Sequence, residues 1–137
     1  MTQQVAFEVT LALPYDQAIE KLTAALKTEG FGILTRIDVK ATLKEKLNAD
    51  FRPYSILGAC NPPLAHRALA HDAQAGLMLP CNVTVEAKDA GTSVVRIGDP
   101  DAFLKIGDFG KDPVLQAVAR EAREKLKRAA DSLRQSK

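Results

Sequence analysis

Strand-type and helix-type hydrophobic patterns alternate along this chain, and their order limits the folds that it can adopt. Residues 5–11 alternate apolar and polar side chains, which predicts a half-buried strand. The segment from Pro14 to about Glu29 repeats apolar residues at helical spacing and stops at Gly30, which predicts a helix. Over the whole chain, these patterns predict the order β-α-β-α-β-α-β-β-α and an α+β fold.

The remaining predicted elements have clear start and stop signals. Asp38, Asn61 and Asp99 each precede a predicted helix and suit its N-cap. Pro80 cannot donate to a sheet ladder, so it predicts an edge, a bulge or a bend in its strand. The predicted strands are about Gly32–Asp38, Tyr54–Ala59, Leu77–Ala87 and Ser93–Gly98, the helices are about Lys40–Leu47, Asn61–Asp72, Asp99–Leu104 and Pro113–Leu133, residues 106–112 are a linker, and residues 135–137 are disordered.

Size and composition restrict the class of protein. A chain of 137 residues predicts one domain, residues 1–137, with a core from about 5 to 133. A net charge of +2 is too small to indicate a nucleic-acid partner. No apolar stretch reaches the ~18–20 residues of a membrane span, and the N-terminus does not resemble a secretory signal. We therefore expect a cytoplasmic protein without nucleic-acid or membrane partners.

The two cysteines are each followed by an asparagine, in Cys60-Asn61 and in Cys81-Asn82. Cys60 lies between a predicted strand and a predicted helix, where a helix N-terminus would favour a thiolate or an anion. The alternative for Cys60 is a small buried packing residue. Strand alternation places Cys81 on an apolar face, which favours a core cysteine, although a bulge at Pro80 would turn it towards Cys60.

Other chemistry has less support in the sequence. The cysteines lie too far apart for a short zinc-binding motif, and His66 and His71 do not share a helix face, so we expect surface histidines and neither metal nor cofactor. No nucleotide-binding or hydrolase motif is present. The basic residues of the last helix alternate with Glu121 and Glu124, which is typical of a solvated helix face.

Several segments together resemble the DUF302 family of small bacterial and archaeal proteins. The resemblance covers about residues 5–133. It implies a TBP-like α+β fold, with one curved antiparallel sheet backed by helices, and a homodimer, but no established activity. The segments that carry it are Gly30–Thr35, Ile37–Val39, Ile56–Pro62, Leu79–Val83 and Asp99-Pro100.

The paired Cys-Asn motifs lead to one expected site and two alternatives. We expect a small binding module whose polar, thiol-containing pocket is made by Cys60, Asn61, Cys81 and Asn82, with Asp38 nearby, and which takes a small polar or anionic ligand. In the first alternative, the protein handles redox or sulfur chemistry, with Cys60 as catalytic nucleophile and Cys81 as resolving thiol. In the second, both motifs only pack a structural dimer.

Overall fold

A computed structural model describes residues 5–135 and confirms the α+β fold class. The strands are β1 (Ala6–Leu11), β2 (Gly32–Asp38), β3 (Tyr54–Cys60), β4 (Cys81–Asp89) and β5 (Thr92–Gly98). They form one antiparallel sheet in the order β1-β5-β4-β3-β2. The helices are α1 (Tyr15–Thr28), α2 (Val39–Leu47), α3 (Pro62–His71), α4 (Pro100–Phe103) and α5 (Pro113–Gln135), with 3-10 turns at Ala73–Met78 and Phe109–Lys111.

The core lies between one face of the sheet and helices α1 and α5. The strand register places Leu57 beside Val83, and Val83 beside Ile97, so that alternate residues of β3, β4 and β5 form a continuous apolar surface. Leu22 of α1 and Leu126 of α5 are fully buried within the same core. Burying one such side chain contributes about 1.5–3 kcal/mol, so these central residues dominate the packing energy.

The fourth strand begins later than the hydrophobic pattern predicts. Leu77 belongs to the 3-10 turn and is largely exposed, and β4 begins only at Cys81. The chain bends at Pro80, just before the strand, and the peptide bond between Leu79 and Pro80 is cis. The predicted strand from Leu77 to Ala87 is therefore wrong at its start, because the bend at Pro80 separates two apolar segments with similar spacing.

The second face of the sheet carries a network of ion pairs. Glu86 of β4 accepts hydrogen bonds from Arg96 of β5 and from Arg52, whose Nε lies 2.5 Å from Oε2 of Glu86. Arg96 also binds Glu8 of β1, at 2.7 Å. Burial raises the pKa of Glu86, but the hydrogen bonds from the two arginines outweigh it and hold the pKa below its usual value.

We expect the Glu86→Gln variant to lose about 1–2 kcal/mol of unfolding free energy at pH 7, because its side chain is only 11% exposed and two charge-assisted bonds weaken. A carboxyl group whose pKa is lowered by folding stabilises the protein above its unfolded-state pKa. That contribution disappears as the pH falls through the lowered value in the folded protein. Urea unfolding should therefore show a difference from the parent that shrinks below about pH 4.

Glu45→Gln is the matched control, because Glu45 lies on the exposed surface of α2. It should change the unfolding free energy little at pH 7 and at pH 3. A Glu86→Gln difference that stays constant from pH 7 to pH 3 would contradict the role of the ionised carboxylate.

Two further predictions concern the two ends of the chain. Helix α5 extends to Gln135, so the predicted disorder is wrong at that residue, and the rest of that prediction concerns residues 136–137, outside the described chain. The expectation about the N-terminal segment likewise falls mostly on residues 1–4, which are not described. The homodimer stays a prediction.

Within residues 5–135, no helix combines the length and the apolar content that are needed to cross a membrane.

Candidate functional site

An apolar cavity of about 340 Å³ opens where one end of the sheet meets helices α3 and α5. Cys81, at the start of β4, and Gly98, at the end of β5, contribute the sheet side of the cavity. Helix α5 forms a second wall with four residues, Leu115, Val118, Ala119 and Ala122.

Two further chain segments complete the cavity. Ala68 of α3, Ala75 and the residues that lead into β4 lie on one side. On the other side are four apolar side chains between β5 and α5, those of Phe103, Leu104, Ile106 and Phe109. All described residues that line the cavity have uncharged side chains. An ionised group placed inside would lose its hydration without gaining an opposite charge, so the cavity favours a neutral ligand.

Cys81 is the thiol of this cavity. The register pairs Cys81 with Ala59, on the helix-facing side of the sheet, and its side chain packs against the core. Burial, with a smaller Coulombic contribution from Cys60, raises the pKa of the Cys81 thiol to about 11. At neutral pH the thiol is therefore protonated, and it offers a ligand a weak hydrogen-bond donor rather than a nucleophilic thiolate.

Cys60 is a free, half-buried thiol at the end of β3. It pairs with Gly32 and follows Ala59, so strand alternation directs it to the face opposite Cys81. Cys60 is not among the residues that line the cavity. The two thiols lie near enough to interact electrostatically, but they belong to opposite faces of the sheet. This is a poor arrangement for a nucleophile and its resolving thiol.

Asn61 links two helices. Its side-chain oxygen accepts from the Leu64 N–H at 3.3 Å and caps α3, which agrees with the cap predicted from the sequence. Its amide nitrogen donates to the carbonyl of Glu29, at the C-terminal end of α1, also at 3.3 Å. The side chain is buried, and both its polar atoms have protein partners, so its geometry favours a structural role.

Asn82 lies in β4, and Asp38 lies at the end of β2. Asn82 borders the cavity, but it is exposed and, by strand alternation, faces the opposite side from Cys81. Asp38 pairs with Ser55, at the other end of β3 from Cys60 and roughly 16 Å along the strand. Its carboxylate caps α2 by accepting from the Ala41 N–H. Of the five expected site residues, only Cys81 and Asn82 line the cavity.

The two histidines are exposed. Nε2 of His71, at the end of α3, lies within hydrogen-bond distance, 2.7 Å, of Oδ2 of Asp112, and Asp112 also caps α5. The hydrogen bond from His71 is the main cause that lowers the pKa of Asp112. In residues 5–135, no group of three or more histidine, cysteine, aspartate or glutamate residues could hold a metal ion.

Sequence reasoning missed most of the cavity. Leu115, Val118 and Ala122 lie on the apolar face of α5, and that face serves both the core and the cavity. The segment expected to be a linker carries Ile106 and Phe109, and large apolar residues in a linker are the one signal that could have indicated a further packing role.

The chain is similar to a family of proteins and to a protein of known structure. The family model of the domain of unknown function DUF302 matches residues 7–133. The crystal structure of an uncharacterized conserved protein DUF302 from Bacillus stearothermophilus is similar, with 31% sequence identity and a TM-score of 0.81. That match covers 94% of this chain and 98% of the other. No curated protein matches the chain.

Proposed function

Because the chain belongs to the DUF302 family, a domain of unknown function, we propose its function from its cavity: the protein is a binding module for a small, neutral, mainly apolar molecule. The observation that carries this proposal is a cavity of about 340 Å³ with an uncharged lining and one protonated thiol. Ligand pockets in proteins begin at about 300 Å³ and are lined mostly by apolar side chains with a few polar groups.

The lining favours a different ligand from the one expected from the sequence. A polar or anionic ligand needs charged or hydrogen-bonding partners to replace its water, and the thiol of Cys81 is a weak donor. A neutral molecule gains instead from the burial of apolar surface, at about 25 cal/mol for each Å² removed from water. A single hydroxyl or carbonyl group directed at Cys81 or at the exposed edge near Asn82 is compatible with this lining.

The arrangement of the cysteines gives less support to the redox alternative. A resolving thiol must become a thiolate near neutral pH, whereas the pKa of Cys81 is raised to about 11. Binding of an apolar molecule needs no such ionisation. We therefore assign Cys81 the role of a lining residue rather than that of a reactant.

Titration with N-phenyl-1-naphthylamine, a neutral probe that fluoresces in apolar surroundings, tests this proposal. We expect saturable fluorescence with the parent protein. Ala119 is buried on the cavity wall, so Ala119→Leu should fill part of the cavity and weaken binding by about tenfold, since a clash with the probe costs more than 1 kcal/mol.

Ala117→Leu is the matched control, because Ala117 lies on the same helix but is exposed and does not line the cavity. It should bind the probe like the parent. No saturable binding by the parent, or equal binding by both variants, would refute a ligand site in this cavity.

A further inference from the structure

We propose that residues 100–111, which we call the strap, form a movable gate over the apolar cavity. The strap connects the end of β5 to the start of α5 and includes only the short helix α4 and one 3-10 turn. It supplies four large apolar side chains to the cavity, those of Phe103, Leu104, Ile106 and Phe109. One short, continuous piece of chain therefore covers one side of the site.

The first end of the strap is held by Arg123 of α5. Its Nε lies 3.2 Å from both carboxylate oxygens of Asp99 and 3.3 Å from Oδ2 of Asp101. The guanidinium group also lies over the ring of Phe7, 5.3 Å from the ring centre. A single side chain thus attaches the first turn of α4 to the helix that forms the opposite wall.

The second end is held where the strap meets α5. The carboxylate of Asp112 binds His71 of α3, and the side chain of Gln116 donates to the carbonyl of Gly110. These contacts fix the ends of the strap on two helices that also line the cavity, α3 and α5.

The middle of the strap is held differently. Its backbone hydrogen bonds are local, from the N–H of Leu104 to Pro100, of Ile106 to Phe103 and of Lys111 to Asp108. Gly107 has a φ of +59°, a left-handed conformation that glycine adopts without strain. Phe103 is 38% exposed and Ile106 is 51% exposed, although both line the cavity. Leu104 and Phe109, which pack against the core, therefore hold the middle of the strap closed together with the partly exposed Phe103 and Ile106.

These features together describe a segment attached at its ends and weakly seated between them. Local openings in proteins occur where buried apolar contacts are few and the hydrogen bonds are local. Opening of the strap would expose the side of the cavity that carries the thiol. Closure on a ligand would bury apolar surface of both the ligand and the strap. The gate would regulate access to the proposed site, so its biological meaning rests on the proposed function.

Cys81 provides a ligand-free test, because it lies in the cavity and Cys60 can be removed by Cys60→Ala. In that background, excess 4,4'-dithiodipyridine should label Cys81 slowly, as measured by the absorbance of the released thiopyridone. Arg123→Gln should release the first end of the strap and increase the labelling rate about three- to fivefold, the upper part of the range expected for an ion pair at the surface, because Asp99 is only 18% exposed.

Arg128→Gln is the matched control. Arg128 lies on the same helix and pairs with Glu29 at 3.0 Å, away from the strap, so the labelling rate should stay at the parental value. Asp101→Asn serves as a milder second variant, since it removes one carboxylate from Arg123 without touching the cap formed by Asp99. It should increase the rate by about twofold, less than Arg123→Gln does.

Urea unfolding of the same variants separates strap opening from global unfolding. Faster labelling with an unfolding free energy equal to that of Arg128→Gln supports the gate. Unchanged labelling in both strap variants, or acceleration no greater than the loss of global stability predicts, overturns it. Because no ligand is used, failure of the gate is distinguishable from failure of N-phenyl-1-naphthylamine to bind.

Discussion

Gly58→Ala is expected to lower the free energy of unfolding by about 3 kcal/mol, because strand β3 has no room for a side chain at this position. A Cβ atom on Gly58 would lie 2.7 Å from Cγ of Pro80 and closer still to Oγ1 of Thr35. Real Cβ atoms do not approach other atoms so closely. The Pro80 ring is rigid and Thr35 is β-branched, so neither neighbour adjusts easily.

The consequence should extend to the cavity. Pro80 lies immediately before Cys81 and lines the cavity, so displacement of its ring would move the start of β4. Urea unfolding followed by circular dichroism measures the loss of stability. The double variant of Gly58→Ala and Thr35→Ala removes one of the two clashes. In a double-mutant cycle with the two single variants, it should recover about 1 kcal/mol of the lost unfolding free energy.

Gly32→Ala is the control for the chemical change itself. Gly32 lies at the start of the neighbouring strand, and a Cβ atom there meets nothing within 4 Å. Its variant should change the unfolding free energy by no more than about 0.5 kcal/mol. Equal stability of Gly58→Ala and Gly32→Ala would contradict the close packing of Pro80 on β3.

Leu126→Ala is expected to cost about 3 kcal/mol, within the range for a leucine removed from a closed core. Leu126 is 0% exposed and belongs to the face of α5 that packs on the sheet and on α1. Alanine would lose the transfer free energy of the removed carbons and leave a void among residues that are themselves fully buried.

Thermal and urea unfolding of Leu126→Ala should be compared with those of Leu47→Ala. Leu47 is 71% exposed on α2, so its variant should lie within about 0.5 kcal/mol of the parent. A Leu126→Ala protein as stable as the Leu47→Ala protein would show that α5 does not close the core as described.

Elements with a strong local pattern could be predicted closely from the sequence. The bounds of β2 agree at both ends, because Gly32 follows the helix stop at Gly30 and Asp38 caps the next helix. The caps at Asn61 and Asp99 were also predicted, since each depends on a side chain that bonds the backbone two or three residues further on. Such signals are contained within a few residues.

The cavity could not be predicted in this way, because it depends on distant segments. Cys81 and Phe103 line the same cavity because β4 pairs with β5 and the strap continues from the end of β5. The sequence patterns identify Cys81 as unusual, but they do not show that its surroundings are apolar and hollow. The expected polar pocket combined residues from both faces of the sheet, since the sequence does not give the register of β3 and β4 that places Cys60 and Cys81 on opposite faces.

The position of β1 has a consequence for how the chain is made in the cell. β1 is an edge strand whose only strand neighbour in the described sheet is β5, and residues from Ala6 to Leu11 pair with residues from Ser93 to Gly98. The last helix then covers the same region, and Arg134 donates to the carbonyl of Glu8. A nascent chain that stops before α5 leaves β1 and the adjoining face of α1 without the helix that packs on both. Such a chain is open to capture by chaperones and proteases until α5 emerges from the ribosome.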